Sequence, residues 1–117
     1  MILPSAFVNN SSNINAIIES PKGTGNKYTF DSETELFKLT KILPEGMVFP
    51  MHFGFIPGTK GEDGDPLDVL ILMDESCYPG NLIEGRVIGI IEAQQTERNH
   101  KKMRNDRIIA AAVESKR

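Results

Sequence analysis

Three aspartates within six residues constrain this chain more than any other feature of its sequence. Asp63, Asp65 and Asp68 follow one another through a Gly and a Pro-Leu pair, and an apolar run extends over residues 67–73. Like charges this close repel one another, and a carboxylate inside an apolar strand needs a partner or a metal. Mg²⁺ takes oxygen ligands and is usually held by carboxylates together with substrate phosphates. The segment therefore predicts a metal-binding turn that leads into a buried strand.

Two other interpretations of this turn have to be weighed. Asp, Gly and Pro are ordinary turn formers, so an Asp-Gly-Asp sequence by itself is more often only a turn. An EF-hand loop fails on spacing, because counting Asp63 as its first ligand puts Leu67 at a ligand position and Asp68 where the loop requires glycine. The third aspartate, at the start of the apolar run, favours the metal loop over the plain turn.

The rest of the chain is predicted to form short strands separated by turns rich in Gly, Pro, Asn and Asp. The 117 residues suffice for one domain, and we expect an N-terminal arm over residues 1–13 and one domain over residues 14–117. Several short strands at close spacing indicate a mainly β fold, a small closed barrel. The segment 110–112 could start a helix by propensity, but its β-branched neighbours favour a strand. The predicted strands are Ala16–Ser20, Lys27–Asp31, Leu36–Ile42, Leu67–Met73, Arg86–Ala93 and Arg107–Val113.

Composition limits the partners and the compartment. The net charge of −3 argues against nucleic-acid binding by bulk electrostatics, and the basic segment 98–107 contains no aromatic residue on which a base could stack. No apolar run approaches the length of a membrane helix. Cys77 is the only cysteine, so no intramolecular disulfide forms, which suits a reducing cytoplasm. We therefore expect a cytoplasmic protein without nucleic-acid or membrane partners.

Residues 63–69, Asp-Gly-Asp-Pro-Leu-Asp-Val, resemble the Asp-x-Asp-Pro-x-Asp-x motif of the soluble class A (family I) inorganic pyrophosphatases. The similarity extends in order from about residue 17 to residue 113. The resemblance implies an OB-like barrel of about five strands, Mg²⁺-dependent hydrolysis of inorganic pyrophosphate with Mn²⁺ as a possible substitute, and a homo-oligomer. The other matching segments are Ile17–Gly23, Asn26–Tyr28, Met47–Pro50, Phe53–Pro57, Pro79–Gly80 and Gly85–Gly89.

The resemblance assigns roles to the acidic residues. Asp68 would bridge two metal ions, Asp63 would be a further ligand, and Asp65 would bind metal and orient or deprotonate the attacking water. Glu19 matches a carboxylate at the metal site, although it could equally be a charge at a strand end. Pyrophosphate hydrolysis needs such a site, because the metal ions activate the water and neutralise the charge of the substrate.

Three basic residues are implied to bind substrate phosphate. Lys27 matches a family lysine, and Arg107 stands where members carry a lysine. Lys41 occupies a position where many members have arginine, so the charge is kept and the bidentate fork is lost. Without the resemblance, each lysine would be read as an ordinary exposed charge.

Several departures from the family pattern keep alternatives open. Thr29 replaces a glutamate, Phe49 and Phe53 replace tyrosines, and Asn105 stands where an aspartate is usual. Glu97 and Asp106 could stand in for missing carboxylates as supporting residues. The family's C-terminal helical region, with a Tyr-Lys pair that binds phosphate, has no match here, and we expect a fragment of a longer pyrophosphatase. The alternatives are a non-catalytic metal-binding or assembly module derived from such an enzyme and, less favoured, an OB-type nucleic-acid-binding barrel.

Overall fold

The computed structural model describes residues 2–96 and 102–114 and contains only β-strands, turns and loops over these residues. The mainly β fold predicted from the sequence is confirmed. The strands in chain order are β1 (Ile14–Ser20), β2 (Asn26–Asp31), β3 (Leu36–Ile42), β4 (His52–Ile56), β5 (Leu67–Leu72), β6 (Leu82–Ile91), β7 (Gln94–Thr96), β8 (Lys102–Arg104) and β9 (Arg107–Ala112).

Five of these strands close into a barrel in the order β1-β4-β5-β9-β6. The β5–β9 pair is parallel, and the other four pairs are antiparallel. Closure removes the unpaired strand edges that an open sheet would expose. The strands β2 and β3 form a separate hairpin, and β7 and β8 form a second two-stranded ribbon. The expected small five-stranded barrel is therefore confirmed.

The strand predictions succeed where the apolar pattern is regular and fail around glycines. Leu36–Ile42 is reproduced at both ends, whereas β6 begins at Leu82, four residues before its predicted start. β4 was not predicted as a strand, and Gly54 at its centre is the reason, because glycine weakens a strand pattern. The fold requires that glycine: a Cβ added to Gly54 would overlap the carbonyl oxygen of Ile17 on β1. β7 and β8 were also missed.

Side-chain alternation divides the barrel wall into an inner and an outer face. The cluster of buried core residues is Ile14, Ala16, Ile18, Ile56, Val69, Ile71, Cys77 and Ala110. On β4, β5 and β9, the residues that alternate with these core residues consequently face outward. Among them are Phe53, Phe55, Asp68 and Arg107. Phe55 is nevertheless buried, because Phe30 of the β2–β3 hairpin stacks on it with the ring centroids 5.5 Å apart. The hairpin thus covers part of the outer face.

His52, the first residue of β4, is a buried packing residue. Its Nδ1 accepts a hydrogen bond from the Lys22 backbone N–H at 2.9 Å and lies 3.2 Å from Cys77 Sγ. Its Nε2 lies 3.0 Å from the carbonyl oxygen of Glu75, which it can reach as a donor only if the proton is on Nε2. The imidazole therefore ties together the turns at that end of the barrel.

The exposed apolar surface of β6 generates a prediction about association. Val87, Ile88, Ile90 and Ile91 are each between 42% and 56% exposed, and contiguous exposed apolar surface favours association. We expect the 117-residue chain to self-associate, with a mass by light scattering coupled to size exclusion above its 13.0 kDa. Replacing Ile88 and Ile90 by lysine should shift it towards the monomer. A wild-type chain that runs as a stable monomer would contradict the prediction.

Candidate active site

A cleft of about 640 Å³ lies where the outer face of β4, β5 and β9 meets the β2–β3 hairpin and the loop before β5. Its lining residues come from six separate segments of the described chain. Of the predicted site residues that the structure describes, all except Lys41 and Asp106 line this cleft. Its charged and aromatic lining residues are Glu19, Lys27, Asp63, Asp65, Asp68, Arg107, Phe30, Phe53 and Phe55.

The aspartate loop is a tight turn held by its own hydrogen bonds. The backbone N–H of Gly61 donates to the carbonyl oxygen of Asp65 at 2.7 Å, and that of Gly64 donates to Gly61 at 3.0 Å. Gly64 has a φ of +90°, a conformation that favours glycine. Asp63 Oδ1 accepts the backbone N–H of Asp65 at 3.0 Å. One oxygen of Asp63 thus shapes the turn, while the Asp65 carboxylate is exposed at the cleft.

Thr59 fastens the two ends of this loop to the barrel. Its hydroxyl donates to the carbonyl oxygen of Ile56, the last residue of β4, at 2.5 Å. The Thr59 hydroxyl oxygen in turn accepts a hydrogen bond from the backbone N–H of Leu67, the first residue of β5, at 2.9 Å. The aspartates are therefore presented from a loop whose base is closed.

Asp68 lies at the centre of the site. It is the Cα partner of Phe55 on β4 and of Arg107 on β9, and its Oδ2 lies 3.8 Å from Arg107 Nε. Burial raises the pKa of Asp68, the positive charge of Arg107 opposes the rise, and the charges of Asp63 and Asp65 add to it. The alternation of β5 thus places Asp68 on the outer face, where a cation would relieve the repulsion.

Glu19 is a second buried carboxyl in the cleft. It is 8% exposed, and its Oε2 accepts the backbone N–H of Phe30 at 2.8 Å. Burial raises the pKa of Glu19 to about 7; the hydrogen bond from Phe30 and the charge of Lys27 lower it, while Asp68 and Asp65 raise it further. Glu19 is therefore partly protonated near neutral pH in the absence of a cation.

Lys27 and Lys41 are exposed Cα partners across the β2–β3 hairpin. Like charges directly opposite each other in an antiparallel pair are destabilising. Lys27 lines the cleft, and Lys41 lies beside it on β3. An anion bound near this pair would reduce their repulsion.

Asp106 is engaged by other groups. Its Oδ1 accepts the backbone N–H of Ala93 at 3.1 Å, and its Oδ2 accepts the Nε and Nη2 of Arg104 at 3.2 and 3.0 Å. These hydrogen bonds, with that from Ala93 the largest, lower the pKa of Asp106. Asp106 lines a smaller cavity of about 240 Å³ that shares Asp63 and Asp68 with the main cleft. Glu97 lies outside the described residues.

The sequence marks Phe53 and Asn105 only as departures from the family pattern and assigns neither a role in the site. Phe53 is half-buried in the cleft wall, with its ring centroid 5.9 Å from Arg107 Cζ. Asn105 also lines the cleft. The alternation of Phe53 and Phe55 around Gly54 was the available signal for β4, and it would have placed Phe53 on the same face as Asp68.

Comparisons with known proteins identify the family. A family model described as inorganic pyrophosphatase matches residues 16–117. The chain belongs to the inorganic pyrophosphatase family. Pyrophosphatases from Sulfolobus acidocaldarius and Saccharolobus solfataricus are 44% and 48% identical over 84 residues, which is 72% of this chain and 49% of each relative. A soluble inorganic pyrophosphatase of rice is 40% identical over 101 residues, 86% of this chain and 44% of the relative.

Solved structures agree with the family assignment. The inorganic pyrophosphatase of Thermus thermophilus superposes with a TM-score of 0.83 at 34% identity, over 97% of this chain and 62% of that chain. That of Neisseria gonorrhoeae gives 0.81 at 29% identity, over 95% and 61%. The resemblance inferred from the aspartate motif is thus confirmed. The chain spans about half the length of the curated relatives it matches.

The acidic residues of this pyrophosphatase-family chain fit a hard divalent cation by their chemistry. Among the described residues, no three His, Cys, Asp or Glu side chains are close enough together to hold one ion. Mg²⁺ does not require such a cage, because it retains several waters and is commonly held by one or two carboxylates plus phosphate oxygens. Carboxylates spread along one cleft wall suit that mode of binding.

Within residues 2–96 and 102–114, the structure contains no helix that is long and apolar enough to cross a membrane.

The raised pKa of Glu19 predicts how stability depends on pH. Between its ordinary 4.5 and about 7 in the folded chain, the folded state binds the proton more tightly, so the free energy of unfolding decreases as the pH rises through this window. In a chelating buffer at about pH 8, Glu19→Gln should be more stable than the wild type by about 1–3 kcal/mol. The difference should disappear near pH 4.5.

Urea denaturation across this pH range checks the prediction, and divalent cation added at the high-pH end is the control. Cation should stabilise the wild type more than Glu19→Gln, since at this pH only the wild type has an ionised carboxylate at position 19 for the cation to neutralise. Parallel pH profiles for the two proteins would show that Glu19 is not the titrating group.

Proposed function

We propose that this chain carries the active site of an enzyme that hydrolyses inorganic pyrophosphate to two phosphates by means of a metal-activated water, with Mg²⁺ as the metal and Mn²⁺ as a possible substitute. The observation that supports the proposal best is one cleft lined by both carboxylates and cations. Phosphoryl transfer to water needs little covalent help from a protein. It depends on positioning and on charge neutralisation, which such a cleft supplies.

The acidic side of the cleft is proposed as the metal-binding side. Asp68, half-buried and flanked by the two loop aspartates, would be the shared ligand, with Asp63 and Asp65 as further ligands. Glu19 would support this side, because a nearby cation favours the charged form of a carboxyl whose pKa is raised by burial. Bound Mg²⁺ supplies a water of lowered pKa and neutralises phosphate charge. Glu97 and Asp106 are proposed as supporting residues.

Asp65 is proposed as the residue that orients or deprotonates the attacking water. Its backbone N–H and carbonyl take part in the hydrogen bonds of the turn, whereas its carboxylate is exposed at the cleft. A carboxylate placed in this way can accept a proton from a water molecule without disturbing the turn that carries it.

The basic side of the cleft is proposed to bind the substrate. Lys27 and Lys41 face each other across the hairpin, so a phosphate between them would bring both charges into use. Arg107 presents a guanidinium beside Asp68, and its planar fork matches phosphate oxygens.

We also propose that the protein acts in the cytoplasm as a homo-oligomer, without nucleic-acid or membrane partners. A single, buried free cysteine, Cys77, suits a reducing compartment. The exposed apolar residues of β6 offer a surface for association.

The metal site is tested by isothermal titration calorimetry with Mg²⁺. Asp68→Asn, which preserves shape and removes charge, should weaken Mg²⁺ binding by at least about tenfold, because changes to groups that merely support metal ligands already cost that much. Asp74→Asn is the matched control, since Asp74 lies beyond the other end of β5 and outside the cleft. Equal Mg²⁺ affinity in the wild type and Asp68→Asn would end the assignment.

The catalytic assignment is tested by phosphate release from pyrophosphate in the presence of Mg²⁺, measured on the full-length gene product. Asp65→Asn should lower kcat by at least about 10²-fold, the usual contribution of a positioned proton acceptor. The fold should be unaffected, because the carboxylate of Asp65 is exposed and its backbone makes the bonds of the turn. A rate within a few-fold of wild type would contradict the role of Asp65. A wild-type protein that binds Mg²⁺ and releases no phosphate would favour a non-catalytic metal-binding module.

A further inference from the structure

Arg107 is held in the cleft by contacts that give it little directional restraint. Its Nε lies 3.8 Å from Asp68 Oδ2, which is an ion pair but too long for a hydrogen bond. Among the described residues, this buried Nε has no hydrogen-bond partner. A second contact within the described part of the chain is the ring of Phe53, whose centroid lies 5.9 Å from Arg107 Cζ. The charge of Asp68 and this aromatic face both restrain the guanidinium.

Phe53 provides a platform that is independent of the carboxylates. It lies on the barrel strand β4, where Leu70 of β5 is its Cα partner. It also packs against Phe49, with ring centroids 6.1 Å apart and ring planes at 42°. Neither contact involves a titratable group, so the position of the ring does not depend on the charge state of the site.

The two contacts of Arg107 differ in what a metal ion would do to them. A cation bound by Asp68 would compete with Arg107 for the same carboxylate and would repel the guanidinium. Arginine has a long side chain with considerable rotamer freedom, and the loss of the ion pair would release it. The negative face of an aromatic ring attracts a guanidinium in either state.

We infer that Phe53 is a positioning residue. Its ring face keeps the Arg107 guanidinium directed at the phosphate position when Asp68 binds a metal ion instead of pairing with Arg107. The inference rests on the proposed function, since it assigns to Arg107 a phosphate and to Asp68 a metal. It goes beyond that function by giving a role to an aromatic side chain with no polar atom. The competing view is that Phe53 only fills space beneath the hairpin.

Nuclear magnetic resonance on the wild-type chain tests the contact directly. The Arg107 Nε–Hε proton should show an upfield ring-current shift and a nuclear Overhauser effect to the Phe53 ring, and both should persist when Mg²⁺ is added. Loss of both signals on addition of Mg²⁺ would overturn the inference without any variant. This measurement does not require activity, so it stands apart from the test of hydrolysis.

Phosphate binding by calorimetry in the presence of Mg²⁺ tests the consequence. Phe53→Leu should weaken binding of inorganic phosphate by about 3- to 30-fold, the range expected for a lost cation–π contact, while Phe53→Tyr, which keeps the ring face, should retain it. Phe37→Leu is the matched control, because Phe37 packs on Phe30 and makes the same change of volume away from Arg107. A loss of the same size in Phe37→Leu would point to packing alone and overturn the inference.

A double-mutant cycle separates positioning from space filling. In an Arg107→Ala background, Phe53→Leu should have no further effect on phosphate affinity, because the ring then has no guanidinium to hold. An undiminished effect in that background would overturn the inference. If the wild type hydrolyses pyrophosphate while Phe53→Leu changes neither the Arg107 resonance nor phosphate affinity, the positioning role fails and the proposed function survives. If the resonance behaves as expected but no phosphate is released, the proposed function fails instead.

Discussion

Burial of negative charge on the outer wall of the barrel is the constraint on which the rest of the site depends. Burial raises the pKa of both Asp68 and Glu19. Asp63 and Asp65 add further negative charge from the loop, and the opposing cations, Arg107 beside Asp68 and Lys27 near Glu19, offset it only in part. Carboxylates that are buried and close to one another destabilise a fold. A bound cation would relieve this cost.

The barrel makes this arrangement possible by bringing distant segments to one face. Glu19 reaches the cleft because β1 pairs with β4, and that pairing depends on the missing side chain of Gly54, where the backbone of Ile17 passes. Asp68 and Arg107 meet because β5 and β9 pair in parallel with these two residues in register. Functional groups carried on strands of a closed barrel are held more rigidly than groups on loops. Asp63 and Asp65 lie on a loop, and the hydrogen bonds that Thr59 makes at the base of this loop restrict its movement.

The departures from the family motif are easier to understand in three dimensions. Phe53 and Arg107 stand where the resemblance leads one to expect a tyrosine and a lysine, and the structure brings these two replacements into contact. Phe53 keeps the aromatic face that a tyrosine would also offer, and arginine stacks on such a face, so an arginine at position 107 is physically consistent with an aromatic ring at position 53. Thr29, in place of a glutamate, lines the same cleft and pairs its hydroxyl with that of Thr40 at 3.1 Å. Asn105 also lines the cleft, without the charge of the usual aspartate.

The sequence by itself determined the local features: the turn chemistry of the aspartate loop, the period of strands such as Leu36–Ile42, and the motif that indicates the family. Tertiary structure alone decided that Asp68 faces outward beside Arg107, that Lys27 and Lys41 are cross-strand partners, and that Arg104 and Ala93 engage Asp106. It also decided that β4 exists, although Gly54 weakens its pattern. The physical reason is that strand period and turn geometry depend on neighbours along the chain. The partner of a charge or the face of a strand depends on how the barrel closes, which is set by residues far apart in sequence.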